Sequence, residues 1–133
     1  MNIDHLRALL SLERQEPVVL CHLTDPALAG FVGSMSAPPV LLSWETVVKQ
    51  RAKHPDVGLA EYCMIPDAVR LGLAVQEHAN QLIFCYHHPS GRRFRLTIKV
   101  TLIGELFVTS FHRTSPRQTK AILARASLLR KHA

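Results

Sequence analysis

Residues 92–113 read RRFRLTIKVTLIGELFVTSFHR, and the fold is decided there. The first half alternates Phe94, Leu96, Ile98 and Val100 with Arg93, Arg95, Thr97, Lys99 and Thr101. Alternation with a period of two marks a strand that is apolar on one face and polar on the other. Ile103-Gly104 supplies a turn, and the run over residues 105–112 predicts a return strand paired with the first. Along the polar side, Arg93, Arg95 and Lys99 stand about 7 Å apart or more, at roughly 3.4 Å of rise per residue. The return strand brings Ser110, His112 and Arg113 into their neighbourhood. Its phase has two solutions. With Phe107 and Phe111 in the core, Ser110 and His112 share the polar face with Lys99. With Leu106 and Val108 in the core, Ser110 is buried instead.

Upstream, the same period predicts strands at residues 73–77 and 81–87, joined by a turn at Ala79-Asn80. Pro89-Ser90-Gly91 then turns the chain into the basic strand. Before residue 72 the apolar spacing is helical. Ile3, Leu6, Leu9 and Leu10 share a face over residues 2–15, and Pro17 stops that helix. Val18 to Leu23 is a short apolar run with strand character, and the small, proline-containing stretch over residues 24–39 reads as a loop. Val40-Leu41-Leu42 leads into Ser43, whose hydroxyl suits the start of a helix running to Lys53 and closed by His54-Pro55. Short helices follow at residues 57–64 and 67–71, with Gly72 as the stop. At the other end, Ser115-Pro116-Arg117-Gln118 carries a capping residue, a first-turn proline and a capping-box glutamine. It predicts a basic amphipathic helix to about residue 131. The expected fold is α+β: N-terminal helices, a four-stranded antiparallel sheet and a C-terminal helix.

A chain of 133 residues with 47% hydrophobic content can bury a real core as one domain. Lys and Arg outnumber Asp and Glu by 16 to 10, giving a net charge of +6 and a pI near 9.7. Such an excess favours a polyanionic partner. Cys21, Cys63 and Cys85 are an odd number without CxxC spacing, which points to free thiols in a reducing compartment. The N-terminus lacks a signal-peptide layout and no apolar run reaches membrane length, so a cytoplasmic protein is expected. No P-loop, dinucleotide fingerprint or acidic metal cluster is present, and metal-ligand spacing is absent, so neither a metal nor a cofactor is expected.

Lys99 is the first candidate for chemistry, because a lysine in mid-strand must face either solvent or an anion. A solvated strand face gives the same spacing, but three aligned cations repel one another without a counter-ion. Ser110, His112 and Arg113 add a hydroxyl, an imidazole and a further cation. His54 serves either as a cation at a helix C-terminus or as a general base near neutral pH. Fixed cations beside a hydroxyl and an imidazole are what phosphate chemistry needs.

The segments Leu42-Ser43, Lys49, His54-Pro55-Asp56, Tyr62, Ile65-Pro66, Thr97-Ile98-Lys99-Val100 and Thr109-Ser110-Phe111-His112-Arg113 lead to a family. Over about residues 40–125 this string resembles the phage-associated branch of the barnase–EndoU–colicin–RelE-like (BECR) nucleases. The resemblance implies an N-terminal extension over residues 1–39 packed on a nuclease domain over residues 40–133. It implies a metal-independent, toxin-like endoribonuclease in which a ribose 2′-OH attacks the adjacent phosphorus to leave a 2′,3′-cyclic phosphate. His54, Lys99, Ser110, His112 and Arg113 are the catalytic residues it implies, with Lys49, Arg93 and Arg95 binding substrate. The implied partners are RNA, tRNA among the candidates, and a neutralising inhibitor or antitoxin protein. The competing expectation is a non-catalytic basic module that binds RNA or protein.

Overall fold

The computed structural model describes residues 1–28 and 37–131. Residues 29–36 of the loop expected over residues 24–39 lie outside them.

Strands β3 (Leu73–His78), β4 (Gln81–His87), β5 (Arg93–Val100) and β6 (Leu106–Arg113) form the expected antiparallel meander. The turns fall where glycine permits a positive φ, at Gly91 (φ 92°) and Gly104 (φ 84°). The expected four-stranded sheet is nonetheless too small. Three further strands extend it: β1 (Val18–His22), β2 (Pro39–Leu42) and β7 (Ser127–Arg130). The result is a seven-stranded sheet in the order β1-β2-β6-β5-β4-β3-β7. It is mixed, because β2 runs parallel to β6 while the other pairs are antiparallel.

Helix α1 (Ile3–Leu10) begins at Asn2, whose side chain accepts from the His5 amide at 3.0 Å. Helix α2 (Trp44–Lys53) begins at Ser43, which accepts from the Thr46 amide, and ends at His54. Short helices α3 (Leu59–Tyr62) and α4 (Ile65–Leu71) follow. Helix α5 (Pro116–Arg125) opens on the expected capping box, with the Gln118 side chain accepting from the Ser115 amide at 3.1 Å. The expected helix to residue 131 is corrected here. The chain leaves α5 after Arg125 and returns as β7 beside β3. Arg130 anchors that strand among buried groups. Its guanidinium donates to the carbonyls of Val69 and Gly72 at the C-terminal end of α4 and to Asp25 at 2.8 Å. Its cation lies over the Phe84 ring.

One main core lies on a single face of the sheet, beneath α1 to α4. It gathers Phe84, Phe94, Leu96, Ile98, Leu106, Val108 and Phe111 from the strands, and Leu6, Leu9, Val47, Tyr62 and Ile65 from the helices. The N-terminal segment shares this core through Leu6, Leu9 and Leu20 and adds β1 to the same sheet. On the opposite face a smaller cluster of Val75, Ile83, Cys85 and Ile122 seats α5 over β3 and β4. Helix α5 sits chiefly over β3 and β4, and toward β6 the second face opens, with Phe107, Ser110 and His112 half-buried and Lys99 exposed. No helix among the described residues is long and apolar enough to cross a membrane.

Candidate active site

The open half-face is set by register. Residues directly opposite one another in neighbouring strands present side chains to the same face. Arg95 pairs with His112, Thr97 with Ser110 and Lys99 with Phe107, giving three rungs across β5 and β6. Between the second and third rungs the register slips, leaving Thr109 as an extra residue in β6. This bulge resolves the two phases left open by periodicity. Before it Leu106 and Val108 point into the core; after it Phe111 does. Ser110 and His112 therefore share the face of Lys99, and Phe107 does not enter the core.

Helix α2 fixes the outer edge of β6. Beyond Phe107 that edge has no strand partner, because β2 pairs only with Leu106 and Phe107. Side chains replace the missing ladder. Thr46 Oγ1 donates to the Val108 carbonyl at 2.9 Å. The Gln50 amide donates to the Phe111 carbonyl and accepts from the Phe111 N–H at 3.2 Å, as a neighbouring strand would. Lys49 Nζ donates to the carbonyl of the bulged Thr109. Thr46 and Gln50 are four residues apart, on one helical side, and are 8% and 2% exposed. The spacing was visible in the sequence, but nothing there showed that a strand edge needed covering.

With α2 locked along β6, its C-terminal residue His54 is delivered to His112. The two imidazole rings stack with centroids 4.6 Å apart and planes 20° from parallel. His112 Nδ1 lies 2.9 Å from the Arg113 carbonyl, and since a carbonyl only accepts, Nδ1 carries a proton and Nε2 is left for a ligand. Burial pushes the His54 imidazole below its ordinary pKa, and the positive charge of His112 pushes the same way. Asp56 opposes them, while Lys53 and Lys49 add to the lowering.

Arg95 lies opposite His112 and is tethered at 3.6 Å to Glu77, whose other oxygen accepts from Arg125 at 2.7 Å. The bond from Arg125 holds the Glu77 carboxyl below the usual carboxylate range. This carboxylate is the counter-ion that the basic strand required. It leaves Arg95 only partly satisfied, because Arg95 Nε is buried without a hydrogen-bond partner.

Of the expected site residues, the fold thus brings together His54, His112, Ser110, Arg95 and Lys49. Two stand apart. Lys99 is four residues along β5 from Arg95, about 13 Å at strand rise, at the far end of the open face. Arg113 pairs with the core-face residue Phe94 and so leaves β6 on the side opposite to His112; only its carbonyl reaches the pair. Arg93 lies beyond Arg95, opposite His87. Among the described residues no group of three or more His, Cys, Asp or Glu is placed to hold a metal ion.

Comparison with family models, with curated proteins and with solved structures finds no match to this chain.

Proposed function

We propose that this protein is a metal-independent endoribonuclease of toxin-like action, cutting RNA by attack of a 2′-OH to leave a 2′,3′-cyclic phosphate. The observation that carries this reading is the His54–His112 stack at the edge of a cationic, partly exposed sheet face. In-line attack of a 2′-OH needs one group to remove a proton and another to supply one to the leaving 5′-oxygen. Two imidazoles in contact suit this division, because protonating one disfavours protonating the other. The lowered pKa of His54 makes it the base, and His112, with Nε2 free, the acid. Arg95 stands opposite His112 by register, and its guanidinium, held 3.6 Å from Glu77, adds positive potential for a phosphate oxygen that gains charge in the transition state. Ser110 lies one rung away as a further donor, and Lys49 and Lys53 add positive potential at the end of α2. In this mechanism Lys99 and Arg113 touch no reacting atom, a revision of the roles that the resemblance implies.

The test is incubation of the pure protein with bulk tRNA and an end-labelled oligoribonucleotide in EDTA, beside His54→Ala, His112→Ala and Arg95→Ala. Discrete fragments ending in a cyclic phosphate, reduced on the order of 10²-fold or more in either histidine variant, are expected. The matching deoxyoligonucleotide should survive, since it lacks the 2′-OH. Intact RNA together with salt-sensitive binding would instead identify a non-catalytic basic module.

A further inference from the structure

Four residues along β5 from Arg95, the open face changes from polar to apolar. Val19 pairs with Leu41, Leu41 lies beside Phe107, and Phe107 pairs with Lys99. Register therefore sets Val19, Leu41 and Phe107 in a row across three strands, ending at an exposed lysine. Their sequence neighbours Val18, Leu20, Val40, Leu42, Leu106 and Val108 all point into the main core, so these three are the outward members of their strands. Val19 is 40% exposed, and Leu41 and Phe107 are half-buried. Among the described residues, neither Leu41 nor Phe107 packs into either hydrophobic cluster. An aromatic ring outside both cores of the described residues, on the same face as the imidazole pair and one strand away from an ammonium, has the makeup of a nucleotide contact. Single-stranded nucleic acid is held where a base stacks on an aromatic side chain and a cation meets the backbone. Beyond Lys99 there is room for more chain. A recess of about 510 Å³ lies between Asn80 and the turn of Leu102 and Ile103, with Lys99 and Glu105 in its walls.

We propose that Phe107 and Lys99 form a base-stacking subsite for single-stranded RNA, separate from the point of cleavage. The ring of Phe107 takes the face of a base, Leu41 extends the apolar floor, and Lys99 holds the attached phosphate. This deepens the ribonuclease reading and rests on it. About 13 Å of strand separates the Lys99 rung from the His112 rung, too far for one phosphate to touch both. The subsite therefore engages a nucleotide some two to four residues from the bond cut, given about 3.4 Å per nucleotide in a stacked strand and more when it is extended.

The experiment uses single-stranded hexanucleotides that carry an abasic residue at each position in turn. They are titrated onto His54→Ala protein and onto the same protein with Phe107→Leu added. One abasic position should weaken binding on the order of tenfold in the first protein and have little further effect in the second. Phe107→Tyr, which keeps the ring, should restore the positional loss and guards against a merely misfolded variant. With otherwise wild-type protein, the ratio of hexanucleotide to dinucleotide kcat/KM should fall by a similar factor in Phe107→Leu and in Lys99→Gln. An abasic profile with no preferred position, unchanged by Phe107→Leu, overturns the subsite and leaves the apolar row to a protein partner. Absence of RNA cleavage by wild-type protein is a different failure: it removes the ribonuclease reading, while the abasic profile still decides whether this row stacks a base.

Discussion

Strands β5 and β6 carry the same pleat on both faces, yet the two faces have opposite fates. On one, Phe94, Leu96, Ile98, Leu106, Val108 and Phe111 are fully buried against the helices. On the other, Thr97 is buried, but Arg95, Phe107, Ser110 and His112 are only half-buried and Lys99 is exposed. The covering helix on that second face, α5, stops over β3 and β4. The difference teaches that one pair of strands does two jobs: its inner face supplies folding energy, and its outer face is left free for polar and aromatic groups that contribute little to stability. The sharpest way to break this comparison is to cut equally into both faces. Phe111 is 0% exposed and stacks on Phe94 with ring centroids 5.1 Å apart. Phe111→Ala should cost about 3–5 kcal/mol in chemical denaturation. Ser110→Ala and Lys99→Ala should stay within about 0.5 kcal/mol. A large loss from Lys99→Ala would mean that the outer face is structural after all.

A smaller effect probes the seam where the two faces meet. The Gln50 amide serves both backbone groups of Phe111, and at 2% exposure no water replaces it. Gln50→Leu keeps the volume but orphans a buried N–H and C=O, which should cost about 1–3 kcal/mol. Because α2 holds His54 against His112, the same change should lower RNA cleavage at temperatures where the variant is still folded. Unaltered cleavage in a destabilised Gln50→Leu protein would separate the edge from the site.

The meander and its turns were legible in the sequence because local rules set them: alternation, glycine at the tight turns, and a capping box at α5. The strand character of β1 was also legible, in the apolar run from Val18, but that β1, β2 and β7 join this sheet was not. Each is four or five residues long and is held by partners distant in sequence, as β7 is by β3 and by the grip of Arg130 on the end of α4. The residues over 127–130 continue a helical apolar pattern, and tertiary pairing overrides it. The site was half legible. Residue types and the face were readable, and both imidazoles were named, but their contact depends on a bulge at Thr109 and on helix-to-edge hydrogen bonds that no periodicity encodes. The same bulge explains why Phe107, grouped with Phe111 by simple alternation, stands on the outer face.

The finest test of the comparison reads the proton. His54 lies where the buried helical layer meets the outer face, and burial, before the charge of His112, holds its pKa below the ordinary value of about 6.5. Between the folded and unfolded pKa values the unfolded chain binds more protons, so stability falls as pH drops through the unfolded value toward the folded one. Above that window His54 contributes nothing to the slope. His54→Gln should therefore flatten the acid side of a plot of unfolding free energy against pH and leave the neutral side unchanged. In the proposed mechanism the base must be neutral, so the acid limb of kcat/KM should have its midpoint below 6.5. His112→Gln removes the charged neighbour and should move the His54 titration, followed by NMR of its ring protons, upward. Burial alone would leave that titration where it was. A His54 that titrates at or above 6.5 in the intact protein would remove the reason for naming it the base and transfer that role to His112.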